Sequence, residues 1–283
     1  MIQKDGGEGY ILNNSPAFSL SMYQDYLYYG TYSLATRRPS MRFITLADII
    51  ESQIYRLNPS TLEAEELFRT GDILKNICVH NGRIFCSFSN GERPTDNGLF
   101  VISLDKGIRD DLVTSYSKSF CIYLDAGYYI GTREGLSGIY KINLDNHKED
   151  LLYSIPLGTA RDLYPSIEGI YFIGYNGNTH DPDFSNRLFL LKWGETQPED
   201  IGPISVNQIL YIDDDWIYCE ADSSQNSGLV QLLRIDKSTY YMEVLMENID
   251  RAIFVNDLFI IYYSNKDGNP KSAMALYCYD QKS

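Results

Sequence analysis

Three cations, Lys75, Lys118 and Arg161, fall at the same first position of three successive copies of a repeating pattern, with Asn207, Asp250 and Phe18 at that position in the remaining copies. One residue further on come Asn76, Ser119, Asp162, Gln208, Arg251 and Ser19. The chain carries 24 Lys+Arg against 38 Asp+Glu, a formal charge of −14. Cations side by side in such a background create a local positive mouth that can attract a carboxylate or phosphate group. The candidate anion contacts are Lys75, Lys118, Arg161, Asn76, Asn207 and Arg251. The alternative is that Asp162, Asp250 and nearby acids neutralise the cations as an internal network between repeats.

Other chemistry finds little support. The three histidines, His80, His147 and His180, lack a second ligand at zinc-like spacing. Asp181-Pro182-Asp183-Phe184-Ser185 begins like a calcium loop, but Asn186 and Lys192 stand where Gly and Glu are needed. Asp213-Asp214-Asp215 reads as a turn that bonds its own backbone. Gly135-Leu136-Ser137-Gly138 is one residue short of a nucleophile elbow and precedes a strand. Phosphate-binding and dinucleotide loops are missing. No catalytic residue, metal ligand or cofactor is assigned, although a set assembled from distant repeats stays open.

The elements that must position these side chains are strands. Residues 116 to 157 hold four short apolar runs, SFCIY, YYIGT, GIYKINL and EDLLYS, separated by turn residues. Five looser copies surround this unit, so the expectation is six blades at approximately 17–70, 74–115, 117–154, 160–203, 206–248 and 250–280. Second-strand starts at 26, 83, 128, 170, 216 and 258 lie 57, 45, 42, 46 and 42 residues apart. That period suits four-stranded propeller blades, which stack because none can bury both faces alone. The last copy lacks its fourth strand, and residues 9–13 (GYILN) belong to no other unit. The fold expected is all-β: a six-bladed β-propeller of four-stranded antiparallel blades forming one domain, 1–283, its ring closed by the N-terminal strand.

Tyr26 to Gly30, Ile54 to Leu57, Ile139 to Leu144, Trp216 to Tyr218 and Leu232 to Asp236 follow second-strand and third-strand patterns such as "xxIYYxx" and "xLYRIxxD". In these stretches the chain resembles bacterial β-propeller proteins of the uncharacterised DUF5050 type. The resemblance covers nearly all the chain, and it implies a propeller fold with no established activity. The signatures of WD40, kelch and sialidase repeats are absent.

The negative charge opposes nucleic acid and anionic lipid surfaces, and no apolar run approaches the length of a membrane span. Five cysteines leave at least one unpaired. A two-residue turn at Asn81-Gly82 sets Cys78 opposite Phe85 and Ile77 opposite Cys86, which puts those two thiols on opposite faces. Reduced thiols point to a cytoplasmic chain, or to an extracellular one if a leader has been removed. A monomer is expected, with an unknown protein or a small anionic ligand as partner.

Long connections between second and third strands, Tyr32 to Ser52, Asn90 to Asn97 and Gly177 to Asn186, collect on one face, where binding usually resides. In the first of them the apolar spacing predicts a short helix over Thr45 to Ser52. The function read from these features is a non-catalytic binding module using the loop-rich face and channel mouth. The competing reading is a hydrolase or lyase at the same mouth. If residues 9–13 complete the last blade, deleting residues 1–14 lowers the melting temperature by more than an equally long surface truncation does, and an unchanged melting curve overturns closure.

Overall fold

The computed structural model describes residues 17–34, 49–89, 97–105, 107–113, 117–155, 160–175, 186–202, 205–223, 229–249, 251–255, 258–263 and 273–278. The chain divides into two compact units, 1–150 and 151–283. Each is built from antiparallel meanders in which sequence neighbours are sheet neighbours.

The first unit holds three four-stranded sheets. They are β1 (Ala17–Tyr23), β2 (Tyr26–Leu34), β3 (Ile49–Leu57) and β4 (Ala64–Thr70); β5 (Ile73–His80), β6 (Arg83–Ser89), β7 (Asn97–Ser103) and β8 (Arg109–Val113); and β9 (Ser117–Tyr123), β10 (Ala126–Arg133), β11 (Leu136–Asn143) and β12 (Glu149–Ser154), the last of which runs across the division. The second unit has two more, β13 (Arg161–Pro165), β14 (Gly169–Tyr175), β15 (Asn186–Lys192) and β16 (Glu199–Asp200), then β17 (Val206–Ile212), β18 (Trp216–Asp222), β19 (Val230–Asp236) and β20 (Met242–Ile249). A three-stranded sheet follows: β21 (Arg251–Val255), β22 (Leu258–Tyr263) and β23 (Ala273–Cys278). The all-β expectation is met with five four-stranded sheets. The closing strand expected at 9–13 lies outside the described residues.

Alternation explains why these sheets stack. In the second sheet Ile84, Cys86, Phe100 and Ile102 pack with Tyr28 and Ile54 of the first sheet. Their neighbours Phe85, Leu99 and Val101 pack the other way, with Phe120, Tyr129, Tyr140 and Ile142 of the third. Successive side chains point to opposite faces, so a strand covered on both faces reads as a continuous apolar run. In the second unit Tyr171, Ile173, Leu188 and Leu190 meet Ile209, Ile217, Cys219, Leu233 and Ile235 in the same manner. At matching positions of the middle strands, register partners are stacked rings: Tyr29 on Tyr55 at 5.3 Å, Tyr129 on Tyr140 at 5.2 Å and Phe172 on Phe189 at 5.4 Å. Such cross-strand aromatic pairs stabilise by about 0.2–1 kcal/mol each beyond an alanine pair.

The Asn81-Gly82 turn has both residues at positive φ, 46° and 69°, and it pairs Ile77 with Cys86 and Cys78 with Phe85 as expected. The helix expected over Thr45 to Ser52 is corrected at Ile49 to Ser52, and residues 45–48 lie outside the described residues. Ile49 to Ser52 extend β3, where Ser52 faces Tyr32, Glu51 faces Ser33 and Ile49 faces Leu34. Pairing to β2 satisfies the backbone there, and β-branched Ile49 and Ile50 suit a pleated strand better than a helical turn.

Four of the five hairpins joining third and fourth strands repeat one device. Leu62, Gly107, His147 and Tyr240 all sit in the left-handed region, with φ of 61°, 63°, 58° and 57°. Each donates its backbone N–H to the carbonyl four residues earlier, on Asn58, Ser103, Asn143 and Asp236. Polar side chains at that earlier position hold the turn: Asn58 accepts from the Ser60 N–H, Asn143 from the Asp145 and Asn146 N–H groups, and Asp236 from those of Ser238 and Thr239. The Ser238 and Thr239 hydroxyls also donate to Asp236 and bring its carboxyl down to about 2.

A carboxyl whose folded-state pKa is depressed contributes stability above its unfolded value, about 4, and loses it as pH falls through the folded one. Asp236→Ala is therefore expected to lower the melting temperature at pH 7, with the gap to wild type closing between about pH 4 and pH 2. A gap that does not change with pH in parallel melting curves would show that the carboxylate's charge is irrelevant to the turn.

Candidate functional site

The first strand of each sheet is an edge, and in most sheets it carries one extra residue. Pairing passes from Ala17–Thr31 to Ser19–Gly30, from Leu74–Phe88 to Asn76–Ser87, from Ser117–Gly131 to Ser119–Ile130, and from Val206–Ala221 to Gln208–Glu220. The extra residues are Phe18, Lys75, Lys118 and Asn207, so a β-bulge stands at four of the positions aligned from sequence. A bulge re-aims the side chain it carries, and bulges recur beside binding and active sites.

Arg161 departs from this pattern. It pairs with Ile173, as Asn76 pairs with Ser87, and the irregularity in β13 comes later, between Arg161 and Tyr164. Arg251 begins β21 opposite Tyr262 without a bulge. Arg161, Asn207 and Arg251 lie in the second unit, whereas Lys75, Lys118 and Asn76 lie in the first. Asn207 donates its amide N–H to the Asp222 carboxylate, which also accepts from the Ser205 hydroxyl at 3.2 Å.

Lys75 is the best-defined cation of the set. The residue is exposed, yet partial burial of the ammonium desolvates it and lowers its pKa from the ordinary lysine value. The ammonium donates to Asn97 Oδ1 at 2.9 Å. Asn97 is itself buried, with 2% of its surface exposed, at the start of β7. Among the described residues no carboxylate pairs with Lys75; its partner is a neutral amide.

Beneath Lys75 the edges of three sheets are tied together. Ser19 Oγ accepts the Ile77 N–H at 3.1 Å, and Ser21 Oγ accepts the Val79 N–H at 3.2 Å. Asn76 Oδ1 accepts from the Ser19 hydroxyl at 2.8 Å, and Asn76 Nδ2 donates to the Phe120 carbonyl at 3.3 Å. Alternation puts Ser19 and Ser21 on one face of β1 and Leu20 and Met22 on the other, where 66% and 59% of their surfaces are exposed. At the positions equivalent to Leu20 and Met22, Ile77 and Val79 are buried. Sequence reading missed Asn97 because no motif marks it. The Ser19/Ser21 alternation was visible but had no target until the neighbouring edge was placed.

A second polar constellation lies in the second unit, around a notch of about 430 Å³ lined by Glu168, Asp214, Asp215, Trp216, Asp236, Lys237 and Ser238. Lys237 is its buried floor, with 8% of its side chain exposed and an ion pair to Glu168 at 3.1 Å. Its ammonium also donates to the carbonyls of Asp213 and Asp214 at 3.1 and 3.0 Å. Tyr171 donates its hydroxyl to the other Glu168 oxygen, and burial, then that bond, raises its pKa. Asp213 accepts the Asp215 and Trp216 N–H groups, the local turn role expected from sequence. The three Lys237 donors are thus matched to three acceptors.

Among the described residues no group of three or more His, Cys, Asp or Glu side chains is placed to hold a metal ion, and no helix is long and apolar enough to cross a membrane. Cys78, Cys86, Cys121 and Cys219 are free thiols, and burial pushes all four up from the usual range. The loop expected to begin like a calcium site at Asp181 lies outside the described residues, and Asn186 to Lys192 form β15.

With these sheets in view, solved structures identify the fold. The neighbours are β-propellers. The chain superposes on the β-propeller domain of the Trilobed protease from Pyrococcus furiosus with a TM-score of 0.64, 10% identity, and coverage of 95% of this chain and 83% of that one. An oligogalacturonate lyase in complex with manganese gives 0.62 at 10% identity, over 91% and 74%. TolB from Acinetobacter baumannii gives 0.50 at 12%, over 75% of this chain and 56% of its own length. At such identities the likeness shows the fold alone. No family model matches the sequence, and no curated protein matches it. The DUF5050-type resemblance therefore rests on its short motifs.

Replacing Lys237 by Met keeps the apolar stem and removes all three donors. The two carbonyls and Glu168 then lose their partner, and an unfolding free energy lower by about 0.5–1.5 kcal/mol is expected from denaturant titration. An unchanged midpoint would show that the triad adds nothing to stability.

Proposed function

We propose that this protein is a non-catalytic binding module whose mouth, formed by the bulged first strands, holds an anionic group of a small ligand or of a partner protein. The observation that carries this reading is Lys75: a desolvated ammonium on a bulge, held by the neutral Asn97 amide, with no carboxylate partner among the described residues. A partly desolvated cation with no fixed counter-charge favours an exchangeable one. Lys118, at the equivalent bulge of the next sheet, is the second cation of the mouth. The full ring read from sequence adds Arg161, Asn207 and Arg251.

The finer architecture belongs to the same proposal: one six-bladed propeller spanning 1–283, with residues 9–13 as the fourth strand of the last blade. Its support is the count of five four-stranded sheets and one of three strands.

The hydrolase or lyase reading has less behind it. It needs a nucleophile or base on the first strands, and the thiols there, Cys78 and Cys121, are held in the protonated form by burial.

Thermal melting in phosphate, sulfate or a dicarboxylate, at matched ionic strength, tests the mouth. A ligand that binds only the folded state stabilises by RT ln(1 + [L]/Kd), about 2.7 kcal/mol at a hundredfold excess over Kd. The melting temperature is expected to climb with anion concentration in wild type, and the gain to shrink in Lys75→Met and Lys118→Ala. If every anion behaves as the matched chloride control does, the mouth binds none and the reading fails.

A further inference from the structure

We infer that Asn76 is a positioning residue of this mouth rather than one of its ligand contacts, and that it acts with Ser19 as one polar seam across three first strands. The inference rests on the anion-binding reading. It reassigns a residue whose place beside Lys75 first marked it as a contact.

The Asn76 amide is committed on both sides. Its oxygen takes the Ser19 hydroxyl proton at 2.8 Å and its nitrogen reaches the Phe120 carbonyl at 3.3 Å. Ser19 Oγ in turn accepts the Ile77 N–H at 3.1 Å. The side chain is half-buried between neighbouring edges. β1, β5 and β9 exchange no ladder hydrogen bonds, because each is the edge of its own sheet. Side-chain bonds of this kind are what fixes one edge against the next.

The seam also lies in the right place. Ser19 directly follows the bulge at Phe18, Asn76 directly follows the bulge at Lys75, and Phe120 is two residues beyond the bulge at Lys118. A tie at those points holds the three bulges level. Without it the strand edges can slide past one another, and Lys75 is no longer held where its ammonium meets the anion.

Isothermal titration of inorganic phosphate into the full chain, at a temperature where every variant is fully folded, tests this. Asn76→Ala and Ser19→Ala are each expected to weaken binding roughly threefold to tenfold, and the double variant no further, because the two residues act as a unit. Ser19→Thr keeps the hydroxyl and should restore wild-type affinity. Lower melting temperatures with unchanged Kd would make the seam merely structural and overturn the inference. Weakening in Asn76→Ala but not in Ser19→Ala would also overturn it, by making Asn76 a direct contact. An absence of phosphate binding in wild type overturns the mouth reading itself, and the seam's role with it.

Discussion

The middle strands of the five four-stranded sheets are buried on both faces, and that constraint governs the rest of the structure. Strand β10 is buried from Ala126 through Gly131 and β7 from Asn97 through Ile102, so neither can face water on either side. Covering both faces requires a neighbour on each, which one four-stranded unit cannot supply. The chain therefore repeats the unit, and polar chemistry is driven to the places that stacking leaves free: hairpins, outer strands and first-strand edges. Lys237 with Glu168, Arg83 with Asp145 and Lys75 with Asn97 all lie at such places.

Edges are the weak point of this solution, because an unpaired strand presents donors and acceptors with no ladder. The structure answers with side chains rather than with more strands. Ser19 and Ser21 take the outward N–H groups of Ile77 and Val79, Ser52 takes that of Leu74, and the Tyr32 hydroxyl donates to the Leu74 carbonyl at 2.5 Å. In the second unit the buried Glu220 carboxylate takes the N–H of Ala252. A carboxylate there costs more to bury than a hydroxyl.

Much of the architecture was legible because its signals are local. Apolar runs bounded by turn residues located each strand to within a few residues, and Asn81-Gly82 set the register of Cys78 and Cys86. The third-strand hairpins were less legible. Only one of their four left-handed residues is glycine; Leu62, His147 and Tyr240 carry side chains that disfavour such φ, and side-chain bonds from Asn58, Asn143 and Asp236 stabilise the turn from four residues away. Thr45 to Ser52 misled because Phe43, Ile44, Leu46, Ile49 and Ile50 have helical spacing, while pairing with β2 governs their last members.

The placement of the cations on the first strands was half legible for a related reason. Counting repeats placed Lys75 and Lys118 at equivalent positions, and both proved to stand on the same bulge. A bulge inserts a residue without leaving any mark in composition, so the count failed by one step at Arg161, where β13 places its irregularity later. Asn97 was invisible because its role depends on β7 returning beside β6, which brings its amide within reach of the Lys75 ammonium. The consequence for charge is direct: the Asn97 amide accepts one ammonium N–H of Lys75 and leaves its charge intact, whereas an aspartate there would neutralise it. The difference between a neutral and a charged partner for Lys75 is thus a single atom type on β7.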